Sequence, residues 1–112
     1  MRALRIAAAA AAALLVAGCG GGSTTATRTG PLPLTPQERH GKRLFVRACG
    51  SCHTLADAGT RGGAGPDLDE HPWRAVTVEE VIASGPGLMP AELLRDGDAD
   101  AVAAYVQAAT RR

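Results

Sequence analysis

The feature that most constrains this chain is the run Cys49-Gly50-Ser51-Cys52-His53. Two thiols separated by two residues, with an imidazole directly after, form the C-x-x-C-H pattern of covalent haem attachment. The spacing has a physical reason. Sulfurs at that separation reach the two vinyl groups on one side of a porphyrin and form thioethers, and the following histidine then lies under the iron as proximal ligand. Gly50 and Ser51 are small enough for the turn this requires. Two other chemistries use the same residue types. A thioredoxin-type dithiol calls for a βαβ setting, which the pattern of this chain lacks. A structural zinc calls for four ligands, and only distant His71 could join Cys49, Cys52 and His53.

The rest of the chain bears on what surrounds that motif. Aromatic residues are 3% of the 112 positions, namely Phe45, Trp73 and Tyr105. So small and aromatic-poor a domain builds a thin core from protein alone and needs something else at its centre. The formal charge is +1, and without Arg2 and Arg5 the balance is 10 basic against 11 acidic residues, which excludes nucleic-acid binding by net charge. The signs are unevenly placed. Arg39, Lys42, Arg43 and Arg47 crowd one segment, and Asp96, Asp98 and Asp100 another. That is either two solvated helix faces or a dipole that orients a docking partner.

Periodicity predicts helices and loops and no strand. Thr35-Pro36-Gln37-Glu38 reads as a capping box with proline at the first helical position, opening a helix to about Ala48. Thr77-Val78-Glu79-Glu80 reads as a second box. It opens a short helix with Val78, Val81 and Ile82 on one face, stopped by Gly85. Asp98 is placed to cap a third helix with an apolar stripe of Ala101, Val102, Tyr105, Val106 and Ala109. The Gly/Pro-rich stretch 59–72 reads as a loop wrapped around something.

A sixth ligand follows by elimination. If the leader is removed with Met1, Met89 is the one methionine left, in Gly85-Pro86-Gly87-Leu88-Met89-Pro90. Pro90 biases residue 89 away from helical geometry, and the glycines allow the backbone close to a flat ring. His71 or an open position are the alternatives.

The N-terminus sets the expected compartment. Arg2 and Arg5 precede an Ala/Leu-rich run, Ile6 to Ala17, which is too short to span a bilayer and has the size of a secretory h-region. Leu15-Val16-Ala17-Gly18-Cys19 resembles a bacterial lipobox. That resemblance implies cleavage before Cys19 and its lipidation, with multiple acyl chains holding the protein at the membrane. The expected organisation is 1–18 as lipoprotein signal peptide, 19–35 as lipid-attachment cysteine and flexible tether, and 36–112 as the domain proper.

From Pro36 to Ala109 the chain resembles the class I, monohaem cytochromes c of the small bacterial type. Gly41, Phe45 and Ala48 resemble the glycine-and-aromatic face of that family's first helix, and Val102 and Tyr105 the contact positions of its last. Gly65-Pro66-Asp67-Leu68 resembles its Gly-Pro-x-Leu segment, and Gly87-Leu88-Met89-Pro90 its distal Met-Pro loop. The resemblance implies an all-α fold of three to four short helices and loops around one covalent haem c. Cys49 and Cys52 would carry thioethers, His53 and Met89 the iron, and the Pro66 carbonyl the Nδ1 proton of His53. Leu68 joins the haem pocket, and Trp73 and Arg74 are candidates for the propionates. The expected function is one-electron transfer rather than enzyme catalysis. The chain would be a free carrier or a haem subunit docked to a dehydrogenase or oxidase, with a haem-based ligand sensor or peroxidase-like enzyme as the non-carrier alternative. Its partners would be redox proteins and, through the lipid, a membrane on the extracytoplasmic side.

Overall fold

The computed structural model describes residues 33–111. The signal peptide expected over 1–18, Cys19 and most of the tether lie outside the described residues.

Helix α1, Pro36–Ala48, starts where its capping box says it should. The Thr35 hydroxyl accepts the Glu38 amide at 3.2 Å, and the Glu38 carboxylate accepts the Thr35 amide at 2.7 Å. Two of the donors that a helix start leaves unpaired are thereby satisfied, and such a cap contributes about 1 kcal/mol. At the other end the amides of Cys49 and Gly50 both donate to the Phe45 carbonyl, so the helix runs directly into the cysteine motif.

Helix α3, Asp96–Thr110, lies against α1 and buries the whole stripe Ala101, Val102, Tyr105, Val106 and Ala109. The crossing is close because position 41 has no side chain. A methyl there would overlap the Ala101 carbonyl oxygen and lie 2.9 Å from the Tyr105 Cβ. Phe45 and Tyr105, 1% and 0% exposed, meet edge to face with centroids 5.9 Å apart. The Tyr105 hydroxyl donates to Asp57 at 2.6 Å, and Lys42 approaches the same oxygen at 3.3 Å. One carboxylate thus ties α1, the 3₁₀ turn Ala56–Ala58 and α3 together.

Helix α2, Ala75–Ser84, packs on α3 and ends at Gly85 in the left-handed conformation, as the sequence implied. Its start does not follow the sequence. Thr77 lies inside the helix and caps nothing. The Ala75 amide is satisfied instead by the Gln107 side chain of α3, at 2.9 Å. Asp98 likewise caps nothing. Helix α3 begins at Asp96, and the Asp98 carboxylate accepts from His40 Nε2 of α1 at 2.9 Å.

The chain is mostly helical, with one departure from a purely helix-and-loop layout. Thr54–Leu55 (β1) and Thr60–Arg61 (β2) pair antiparallel just after the cysteine motif. The pair is held by a side chain as much as by its ladder. Thr60 Oγ1 accepts the Leu55 amide at 3.1 Å and donates to the His53 carbonyl at 2.9 Å. Within the stretch read as loop, Leu68–Glu70 forms a 3₁₀ turn whose Asp69 amide donates to the Asp67 carboxylate.

Candidate haem site

The residues that close the core on one side leave a cavity on the other. It has a volume of about 600 Å³, within the range typical of ligand pockets. Its walls are largely aliphatic: Val78, Val81 and Ile82 of α2, Val102 and Val106 of α3, and Leu93 between them. The motif forms one rim. Cys49 is buried at the end of α1, Cys52 is exposed, and both line the cavity. Burial pushes the Cys49 thiol up to about 11, with Cys52 beside it adding to the shift, so at neutral pH it is a neutral thiol.

His53 follows from the local fold. The amides of Cys52 and His53 both donate to the Cys49 carbonyl, which turns the chain so that the imidazole faces the cavity. The returning loop then fixes the ring. The Gly65 amide donates to the Cys52 carbonyl at 2.8 Å, and His53 Nδ1 donates to the Pro66 carbonyl at 2.8 Å. With Nδ1 protonated against a carbonyl, the neutral ring carries its lone pair on Nε2, the tautomer an iron ligand needs. Position 65 must be glycine for the backbone to pass so near. A methyl there would lie 2.5 Å from His53 Cε1 and 2.8 Å from Nδ1.

The other named residues divide. Met89, Pro66, Leu68 and Trp73 line the same cavity as the motif. Arg74 does not. It is exposed and precedes α2, so the structure separates it from Trp73, with which the sequence had paired it. His71 is exposed and packs at a tilt against Trp73 with ring centroids 3.9 Å apart, outside the lining. No group of three or more His, Cys, Asp or Glu side chains among the described residues is placed to hold a metal ion, so the four-ligand zinc arrangement does not assemble. Most of the wall leaves no mark of its role in the sequence. The apolar face of α2 was visible as a face, but nothing in its spacing said that it looks into a cavity rather than into packed protein.

One polar atom is left over. Trp73 Nε1 is buried and has no hydrogen-bond partner. A buried donor without an acceptor costs about 1–3 kcal/mol. A haem brings two carboxylates, and these residues therefore fit one: two thiols at the rim, an imidazole with its lone pair free, a thioether, apolar walls and an unclaimed N–H.

A family model described as cytochrome c oxidase, cbb3-type, subunit III matches residues 36–106. The chain belongs to this family of c-type cytochromes. Its fold is also that of a solved relative, the c-type cytochrome SorU from Sinorhizobium meliloti. That structure is 40% identical with a TM-score of 0.62, and the match covers 66% of this chain and 91% of the other. No curated protein matches the chain. This cytochrome is therefore a mostly helical haem electron carrier whose cofactor is covalently bound haem c.

Proposed function

We propose that this cytochrome is a one-electron carrier with His/Met ligation, held at the extracytoplasmic face of a membrane by lipid on Cys19. The observation that carries the ligand assignment is the shared cavity. Cys49, Cys52, His53 and Met89 come from two segments far apart in sequence and line one space. In it Cys49 and Cys52 form the thioethers, His53 supplies Nε2, and Met89 supplies its thioether sulfur. The Pro66 carbonyl holds the Nδ1 proton and so orients the imidazole. Haem supplies an iron that cycles between ferric and ferrous states. The aliphatic walls exclude water, which shields the charge change and, with a methionine ligand, raises the potential. Two protein ligands leave no open coordination position, which favours electron transfer over substrate chemistry.

The family description names an oxidase subunit, which favours a second reading, a haem domain docked to a larger oxidoreductase. Purification from membranes distinguishes the two: a free carrier runs alone, a subunit runs with its complex.

The ligand assignment is tested on the purified holoprotein. Acid–acetone extraction should leave the colour with the protein. The ferric form should show the weak red charge-transfer band of iron–thioether ligation, and Met89→Ala should abolish it. Freely extracted haem, or a band that survives the substitution, would refute the assignment.

A further inference from the structure

The indole that faces the cavity is held by a helix that does not contain it. Thr110, in the last turn of α3, uses its hydroxyl twice. It donates to the Val106 carbonyl at 2.8 Å and accepts the backbone amide of Trp73 at 3.0 Å. The first bond fixes where the hydroxyl proton points, so the oxygen lone pair is aimed at Trp73. One turn earlier on the same helix, Gln107 Oε1 accepts the Ala75 amide at 2.9 Å. The two bonds bracket Arg74, the residue before α2, whose own side chain makes no capping bond. The backbone of Trp73–Ala75 is therefore pinned at both ends to α3. The pinned segment carries Nε1, the buried donor without a protein partner.

We infer that Gln107 and Thr110 are positioning residues for the cofactor: by clamping residues 73–75 they present the Trp73 indole N–H to a haem carboxylate. The inference rests on the haem reading above and on Trp73 as the carboxylate donor. The physical logic is that of a supporting layer. A single hydrogen bond to a carboxylate has directional value only if its donor is held; the Trp73 indole makes no hydrogen bond of its own and has the tilted His71 ring against it, so its backbone must be fixed from elsewhere. The Gln107 clamp also serves α2, whose Ala75 amide would otherwise be unpaired. One pair of side chains thus sets both the start of a helix and the aim of an indole.

The test uses the holoprotein and reads the midpoint potential together with the indole N–H resonance of the ferrous form. Trp73→Phe removes the donor, leaves the carboxylate charge less compensated, favours ferric iron and should lower the potential. Thr110→Val, which keeps the shape but loses the acceptor, should lower it in the same direction by a smaller amount. Adding Gln107→Leu should bring it close to the Trp73→Phe value. Both changes should move the indole resonance upfield, as a lost hydrogen bond does. Thr110→Ser restores the oxygen and should restore both readouts. In a Trp73→Phe background the α3 substitutions should produce no further shift. If Trp73→Phe lowers the potential while Thr110→Val and the double variant leave it unmoved, the positioning role is wrong and the donor reading stands. The role is equally overturned if the α3 substitutions shift the potential by the same amount with phenylalanine at 73. If Trp73→Phe itself changes nothing, the donor reading and the positioning role both fall.

Discussion

Replacing Gly41 by alanine should separate the two helices that build the core. The added methyl would lie 2.5 Å from the Ala101 carbonyl carbon and 2.9 Å from Tyr105 Cβ, where ordinary contact begins at 3.4 Å. The first obstacle is backbone and cannot rotate away, so α1 and α3 must part by at least 0.9 Å, the difference between 3.4 and 2.5 Å, and further still to clear the carbonyl oxygen. A gap of about 0.5–1 Å forfeits a quarter to a half of the dispersion contact across it. The side chains buried at or beside the interface include Leu44, Phe45, Val102, Tyr105 and Val106. At about 1.5–3 kcal/mol each they contribute on the order of 10 kcal/mol, of which a quarter to a half is about 2.5–5. The better helix propensity of alanine returns about 1 kcal/mol. The net expectation is a destabilisation of about 1.5–4 kcal/mol. Guanidinium unfolding of the holoprotein, followed by far-ultraviolet circular dichroism, should show a lower midpoint at an unchanged slope. Gly97→Ala is the matched control. Gly97 lies in α3, where an added methyl meets nothing within 4 Å, so the substitution should stabilise by up to about 1 kcal/mol. If Gly41→Ala is neutral, or stabilises as Gly97→Ala does, the close crossing is not what glycine provides at position 41.

Gly65→Ala should push the His53 ring off its 2.8 Å hydrogen bond to Pro66, lower the basicity of the imidazole and raise the midpoint potential; an unchanged potential would show that this bond does not tune the ligand. Tyr105→Phe removes a 2.6 Å hydrogen bond to a carboxylate and should cost about 1.5–3 kcal/mol in equilibrium unfolding while leaving the visible spectrum unaltered. Cys19→Ala should abolish lipid processing without affecting haem content. The readouts are detergent phase partitioning and mass spectrometry of the N-terminus, and a wild-type protein that stays wholly aqueous with an unmodified N-terminus refutes the anchor.

What was legible in the sequence was what neighbouring residues decide. The Thr35 box, the stop at Gly85 and the stripe on α3 are each settled within a turn or two of chain, and each stands where the pattern put it. The start of α2 was not legible, because its amide is satisfied by Gln107, 32 residues away, and a tertiary partner leaves no local mark. The β1–β2 pair escaped for a related reason. Two residues a side carry no alternation, and Thr60 supplies through its side chain what a longer ladder would supply through backbone. At the site, the motif and the Pro66 hydrogen bond were accessible through local residues and family resemblance. Trp73 and Arg74 were not separable, since adjacent residues face different ways and the phase of that segment is set by its contacts with α3 rather than by its own composition.

Helix α1 gives the domain a built-in polarity. Its first turn receives the chain from the N-terminal side, and its last turn delivers Cys49 to the cavity. Thirteen residues separate these ends, about 20 Å at 1.5 Å per residue. The helix is a stiff boom, clamped along its length by α3 at Gly41 and Phe45 and braced through Lys42 and Asp57. A pull applied to the chain at Thr35 would load the α1–α3 contact before it reached the cysteines. The cofactor end of α1 therefore lies about 20 Å from the end at which the chain enters, with the α1–α3 contact between them.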